Sequence, residues 1–369
     1  MTQNRYYIWL ILMNSLINII IFVPRELIDG RFTGTQAAIP LAVLSGTLIT
    51  FMFTAVIRKF PGKGVPEIFA ASLPKFTVPP LLVIFGLLWC TAGLITLLSF
   101  VDITLRFISP DTRPLIVLLS FLVVVCFSVR MEPLSLLYGL EMMLAISLPL
   151  IVYATFKAVV NPAFSWDAVL QTFTYSLHTP NWNSFLAATF SFSGYINMAI
   201  FNRLFHQLKL KPLHIVIVAV QGFIILLLSF LVPIGYFGTI GVGKHIYTWF
   251  STADSIRIET FLIERMLFIF YMAYLPLSLV SVVIHWHVGK ELLLALFPVP
   301  KKRKSSSVRL WQEGFILAAF CAAAFSLMHL DQYELNQFGV IFLDVRWYGE
   351  VALLLLLLYC YAVKRRRAL

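Results

Sequence analysis

The chain has 369 residues, 60% of them hydrophobic and only 12% charged, with a formal net charge of +11. Soluble domains carry roughly 25% charged residues, so the two or three soluble domains that length alone suggests are excluded. The positive charge is no nucleic-acid footprint, because the basic residues flank apolar runs and no basic, aromatic-interleaved soluble segment exists.

A helix needs about 20 apolar residues to cross a bilayer. Ten runs approach or exceed that length: 7–24, 36–57, 79–105, 114–130, 134–158, 184–202, 213–236, 260–287, 310–328 and 347–363. The first holds Asn14, Ser15 and Asn18 near its middle. It is followed by Val23-Pro24-Arg25-Glu26 rather than a small-residue cleavage site, so it reads as a retained helix. The third is long enough to tilt, and carries Asp102 and Arg106 one turn apart, placed to pair locally. The fourth is short and ends at Arg130. The fifth carries Glu141, either a proton-handling carboxylate or a tether within the bundle. The sixth contains Ser191-Phe192-Ser193-Gly194-Tyr195 and then Asn197.

The eighth run has Glu264-Arg265 at its outer end and Tyr271 and Tyr274 deeper, where packing or a cavity wall would suit them. His285 and His287 are two apart, point apart on a helix and make a poor metal pair; they are expected to snorkel to the interface. Proline opens several runs (Pro80, Pro114, Pro133, Pro212), where its missing N–H costs little. Cys90, Cys126, Cys321 and Cys360 lie in apolar runs with no paired spacing and read as buried small hydrophobes.

Lysine and arginine placement orients the chain. Nineteen of the 28 basic residues fall on the N-terminal side of an even set of ten spans, which puts both termini in the cytoplasm. Eight, Arg346 among them, fall on the other side. Aromatic residues gather in the outer loops 159–183 and 237–259 (Phe164, Trp166, Tyr175, Trp182, Tyr247, Trp249), as at a membrane interface. The longest inner loop, with Pro298, Pro300, Lys301 to Lys304 and Ser305 to Ser307, reads as a solvated flank able to meet anionic lipid heads.

Function is sought where polar residues or broken helices sit at depth. The polar stretches of the first and sixth spans are five spans apart. That spacing fits a five-plus-five inverted repeat, 7–160 and 184–363, within one polytopic domain, 1–369. An unwound stretch frees N–H and C=O groups for a small charged ligand, and Gly194 permits the dihedrals such a break needs.

Four short motifs carry a resemblance. Val23-Pro24-Arg25 ends the first span, and Phe60-Pro61-Gly62-Lys63 with Glu67-Ile68 follows the second. Phe192-Ser193-Gly194-Tyr195 lies in the sixth, and Ile263-Glu264-Arg265 opens the eighth. Together they resemble the B subunits of nutrient germinant receptors, the spore-germination permeases of endospore-forming bacteria. The resemblance implies an all-α, LeuT-like fold of the amino acid–polyamine–organocation superfamily, with helices 1 and 6 interrupted. It implies a receptor in the spore inner membrane, acting with an A subunit and a lipoprotein C subunit to sense a germinant such as an amino acid. Spans 1, 3, 6 and 8 would line the pocket through Asn14, Ser15, Asn18, Thr91, Ser191, Ser193, Gly194, Tyr195, Tyr271 and Tyr274. Pro61, Gly62, Glu141, Glu264 and Arg265 would serve structure or coupling. The alternative is a secondary amino-acid transporter on the same fold. A membrane enzyme acting on lipid is disfavoured, because no loop offers a catalytic constellation, metal cluster or cofactor motif.

Overall fold

Backbone groups in hydrocarbon must be satisfied within the chain, and helices do this segment by segment. The computed structural model describes residues 2–209, 211–258, 264–297 and 305–368. Among them the chain is helical, apart from one isolated antiparallel bridge between Arg257 and Arg265.

The first span is two helices, α1 (Thr2–Asn18) and α2 (Val23–Asp29), bent by 52°. Pro24 stands at the start of α2, where a residue without an N–H is tolerated. Val23-Pro24-Arg25 therefore opens the second half of this span rather than ending the first helix. Next come α3 (Thr35–Ile57), the short α4 (Val65–Ser72) and α5 (Val78–Ile103), which closes in one wide turn over Thr104–Ile108. Then follow α6 (Pro114–Ser128), α7 (Pro133–Val159) and a short α8 (Trp166–Thr172).

The sixth span is again broken. It comprises α9 (Trp182–Phe190), a tight 3-10 segment (Ser193–Asn197) and α10 (Met198–Phe201), bent by 51°. The chain continues as α11 (Pro212–Gly241), α12 (Thr248–Ser255), α13 (Met266–Leu294), α14 (Ser305–Leu327) and α15 (Gln332–Ala368). Among the described residues six helices are long and apolar enough to cross a membrane, or up to eight spans if each bent pair counts as one. The other two expected spans are α6, which is 15 residues long, and α15, whose apolar length is interrupted by charge.

Several expectations are corrected. The last helix begins at Gln332, not 347. At about 1.5 Å per residue its 37 residues reach well beyond a bilayer core of about 30 Å. Arg346 is thus no loop residue; it is only 3% exposed. His285 and His287 do not snorkel, being 3% and 2% exposed. The reason is that α13 packs against α5 and α7 and is buried continuously over 281–292, so both rings are surrounded by protein. His285 Nδ1 meets Ser281 O at 2.7 Å, and His287 Nδ1 meets Val129 O at 3.0 Å. Tyr247 and Trp249 do not belt an interface either. Both are buried, with Trp249 stacked on Phe270 at 5.7 Å, whereas Trp166 and Trp182 are exposed. Ser305 to Ser307 belong to α14. Ile263 and the loop from Pro298 to Lys304 lie outside the described residues.

Candidate functional site

The two breaks meet. A helix that stops inside the membrane leaves its last carbonyls without partners. Here the polar residues of α1 supply the missing donors for α9. Asn14 Nδ2 donates to Phe190 O at 2.6 Å, and Asn18 Nδ2 donates to the same oxygen at 3.3 Å and to Asn14 O at 2.8 Å. Ser15 Oγ donates to Ile11 O and Ser191 O. All three are buried. Asn14, Ser15, Asn18 and Ser191 thus come together at one junction.

Gly194 is where the two spans touch. A Cβ there would lie 2.3 Å from Leu10 O and 2.5 Å from Ile11 Cα, closer than any real contact. The neighbouring Phe192 ring fills a slot between Gly46 and Gly222, where a Cβ on either would reach within 2.5 Å of the ring. The FSGY stretch therefore serves close approach in three directions.

The other wall of the break comes from α15, and it is charged. Arg346 Nη1 donates to Ser193 Oγ at 2.8 Å and to Glu350 Oε1 at 3.1 Å. Its Nη2 donates to Leu186 O at 2.7 Å and Thr189 Oγ1 at 3.1 Å. Tyr195 OH donates to Glu350 Oε2 at 3.0 Å. Arg346 thus grips Leu186 and Thr189 before the break and Ser193 after it, and Glu350 grips Tyr195 after it. An ion pair at this depth is costly unless its donors and acceptors are used; Arg346 makes four hydrogen bonds, and its buried Nε has no partner among the described residues. Beside it lies a cavity of about 20 Å³ walled by Trp89, Phe190, Ile196, His285, Arg346 and Glu350. That volume holds a water molecule but no amino acid.

Both ends of the bundle are tied. At the basic end Arg203, just past α10, bridges Glu67 of α4 at 2.7 Å and Glu291 of α13 at 2.8 Å. Asn202 Nδ2 donates to Phe60 O at 2.8 Å and Lys63 O at 2.7 Å, and Gly62 N donates to Phe205 O at 3.2 Å. The Phe60-Pro61-Gly62-Lys63 turn, with Gly62 at φ +70°, is thereby fastened to the end of the sixth span. At the opposite end Arg25 donates to Gly243 O at 2.6 Å and His245 O at 3.2 Å, and Arg31 donates to Thr239 O. Burial, with Arg25 and Lys244 nearby, holds the His245 imidazole below its usual pKa.

Other expected site residues lie elsewhere. Thr91 turns its hydroxyl to its own helix at Leu87 O, 2.9 Å, on a partly exposed face, because an unpartnered hydroxyl on a membrane helix bonds the preceding turn. Tyr271 sits near the end of α5, its OH 2.9 Å from Thr104 Oγ1. Tyr274 is fully buried, its ring tilted against Phe270 at 4.5 Å between centroids, and its hydroxyl has no partner among the described residues. Glu141 pairs with Arg5 at 3.0 Å, and Asp102 with Arg106 at 3.6 Å, as their spacing implies. Glu264 and Arg265 precede α13, where Ile258 N donates to Glu264 O at 2.8 Å.

The sequence pattern missed Arg346, Glu350, Arg203 and Glu291. The signal for the first two was present: an Arg and a Glu four apart share one helix face.

No family model matches the chain, and no curated protein matches it. Among solved structures it is similar to the crystal structure of MhsT in complex with L-phenylalanine. The identity is 12% and the TM-score 0.58, over 94% of this chain and 87% of that one. The likeness is one of fold: the chain adopts the LeuT fold of a multi-pass membrane protein.

Proposed function

We propose that this chain is an amino-acid permease of the cell membrane. Its ten spans form two inverted five-helix repeats, with both termini cytoplasmic, and it catalyses no covalent reaction. The observation that carries this reading is the pair of bends, 52° and 51°, in spans five apart that meet in the bundle. MhsT, whose structure holds L-phenylalanine, shares the fold.

The chemistry follows from the break. Phe190 O and Ser191 O are strong acceptors held by Asn14, Asn18 and Ser15. A substrate ammonium group arriving between the spans replaces those donors on the same oxygens. The small cavity and the ties at both ends correspond to a closed state, so access requires one set of ties to open at a time. The substrate drives this only through contacts that differ between the states.

A second reading, the B subunit of a spore germinant receptor with A and C partners in the spore inner membrane, is favoured by the four ordered motifs. One of these, Phe60 to Lys63, is the turn fastened to the sixth span. Equilibrium binding of labelled amino acids to purified protein tests both. Binding is expected, and Gly194→Trp abolishes it by filling the α1 contact. No binding by any amino acid, or full binding by Gly194→Trp, would sink the shared site. Binding without accumulation in vesicles selects the receptor.

A further inference from the structure

A second cavity, of about 230 Å³, opens at the basic end between α4, the turn after α3 and the last turns of α15. We propose that it binds the phosphate of an anionic phospholipid, with the guanidinium of Arg367 and the ammonium groups of Lys63 and Lys364 as its ligands.

Its depth is set by α15. The run from Val351 to Val363 is wholly apolar, and Lys364-Arg365-Arg366-Arg367 follow at once, all exposed. The cavity therefore lies where the chain leaves hydrocarbon, at the level of lipid phosphates. Its composition is one-sided. Lys63, Lys364 and Arg367 line it, with the Ser72 hydroxyl near them and no acidic residue on its wall. Among the described residues none of the three cations is ion-paired. The adjoining cleft of about 460 Å³ is the reverse, because Glu67 and Glu291 neutralise Arg203 there.

Two of the three cations are held in place rather than loose. Lys364 Nζ donates to Lys59 O at 2.7 Å and lies 4.9 Å from the Phe60 ring centre. Arg367 Nη1 donates to Ala71 O at 2.8 Å. Each bond uses one donor of three on the ammonium and of five on the guanidinium, so most donors remain for a phosphate. The floor is apolar: Phe60 and Ile68 are buried beneath the charges, and Val363 closes the membrane side. Charge above an apolar floor suits a headgroup with its glycerol and acyl chains, and basic pockets at this depth between helices hold such headgroups.

The test uses full-length protein in neutral detergent, with native mass spectrometry counting bound phosphatidylglycerol or phosphatidylcholine at equal concentration. Phosphatidylglycerol is expected to be retained at least tenfold better. The Lys63→Gln/Lys364→Gln/Arg367→Gln variant is expected to lose most of that preference. A variant with equal charge loss outside the cavity, Lys75→Gln/Arg365→Gln/Arg366→Gln, is expected to keep it. Should the triple variant fail to fold, Lys63→Glu alone reverses a charge whose ammonium holds no hydrogen bond or ion pair among the described residues, and the preference must still fall. Equal loss in the outside variant, or an unchanged preference in the cavity variants, overturns the site. Full displacement of the lipid by millimolar inorganic phosphate overturns the lipid as its occupant.

Discussion

Replacing Arg346 by Met is the sharpest test of how the sixth span is held. The substitution removes four hydrogen bonds at once, to Ser193, Glu350, Leu186 and Thr189. It also leaves Glu350, 6% exposed, with Tyr195 as its remaining hydrogen-bond donor. Stranding one partner of a buried ion pair costs about 3–5 kcal/mol in water-soluble proteins. In membranes the unfolded chain finds substitute partners, which pulls the figure toward about 3 kcal/mol. Glu350→Gln is the milder change. Arg346 keeps three uncharged acceptors, and the new side-chain amide oxygen can still accept from Tyr195, so about 1–2 kcal/mol is lost. The double variant Arg346→Met/Glu350→Leu removes both charges and recovers most of the loss. SDS-titrated unfolding in mixed micelles, run as a double-mutant cycle, measures all three. Additive effects, or an Arg346→Met variant within about 0.5 kcal/mol of the parent, would refute a clamp across the break.

Other outcomes follow from single contacts. Gly194→Ala forces a methyl against Leu10 O and Ile11 Cα and should destabilise by about 1–3 kcal/mol, measured by the same unfolding titration. Asn14→Leu removes the 2.6 Å bond to Phe190 O. It should lower stability by about 1 kcal/mol without weakening amino-acid binding, because the substrate ammonium replaces this donor on Phe190 O, which calorimetry on the purified variant checks. Arg203→Ala releases α4 and the end of α13 from each other. Hydrogen exchange across Val65–Ser72 should then quicken at least tenfold. Cys126 and Cys321 place their sulfurs 3.4 Å apart, so mild oxidation should cross-link α6 to α14, and Cys126→Ser should prevent it, read by peptide mapping.

Much of this arrangement was legible in the residues. Asn14, Ser15 and Asn18 broke the apolar pattern of the first span, and they now cap the carbonyls of the sixth. Gly194 marked the other break, but for a different reason: its φ is not positive, so the backbone there does not require glycine, and it is the close approach to α1 that excludes a side chain. Arg346 was misread because span-finding rewards uncharged runs. A helix with Asp344 and Arg346 near its middle therefore appears to start after the arginine, at 347. Its partners, Leu186, Thr189 and Ser193, are more than 150 residues away, and no local pattern announces such a pairing. The histidines of α13 were misplaced because snorkelling presumes a helix at the periphery, and centrality is a property of the assembled bundle.

Accumulation of labelled amino acid by proteoliposomes holding this chain alone is the most direct measurement of a gated amino-acid site at the two breaks. Saturable uptake is predicted, lost in Gly194→Trp and in the folded Arg346→Met/Glu350→Leu variant. Undiminished uptake by both variants, or neither uptake nor binding by the parent protein, would contradict it.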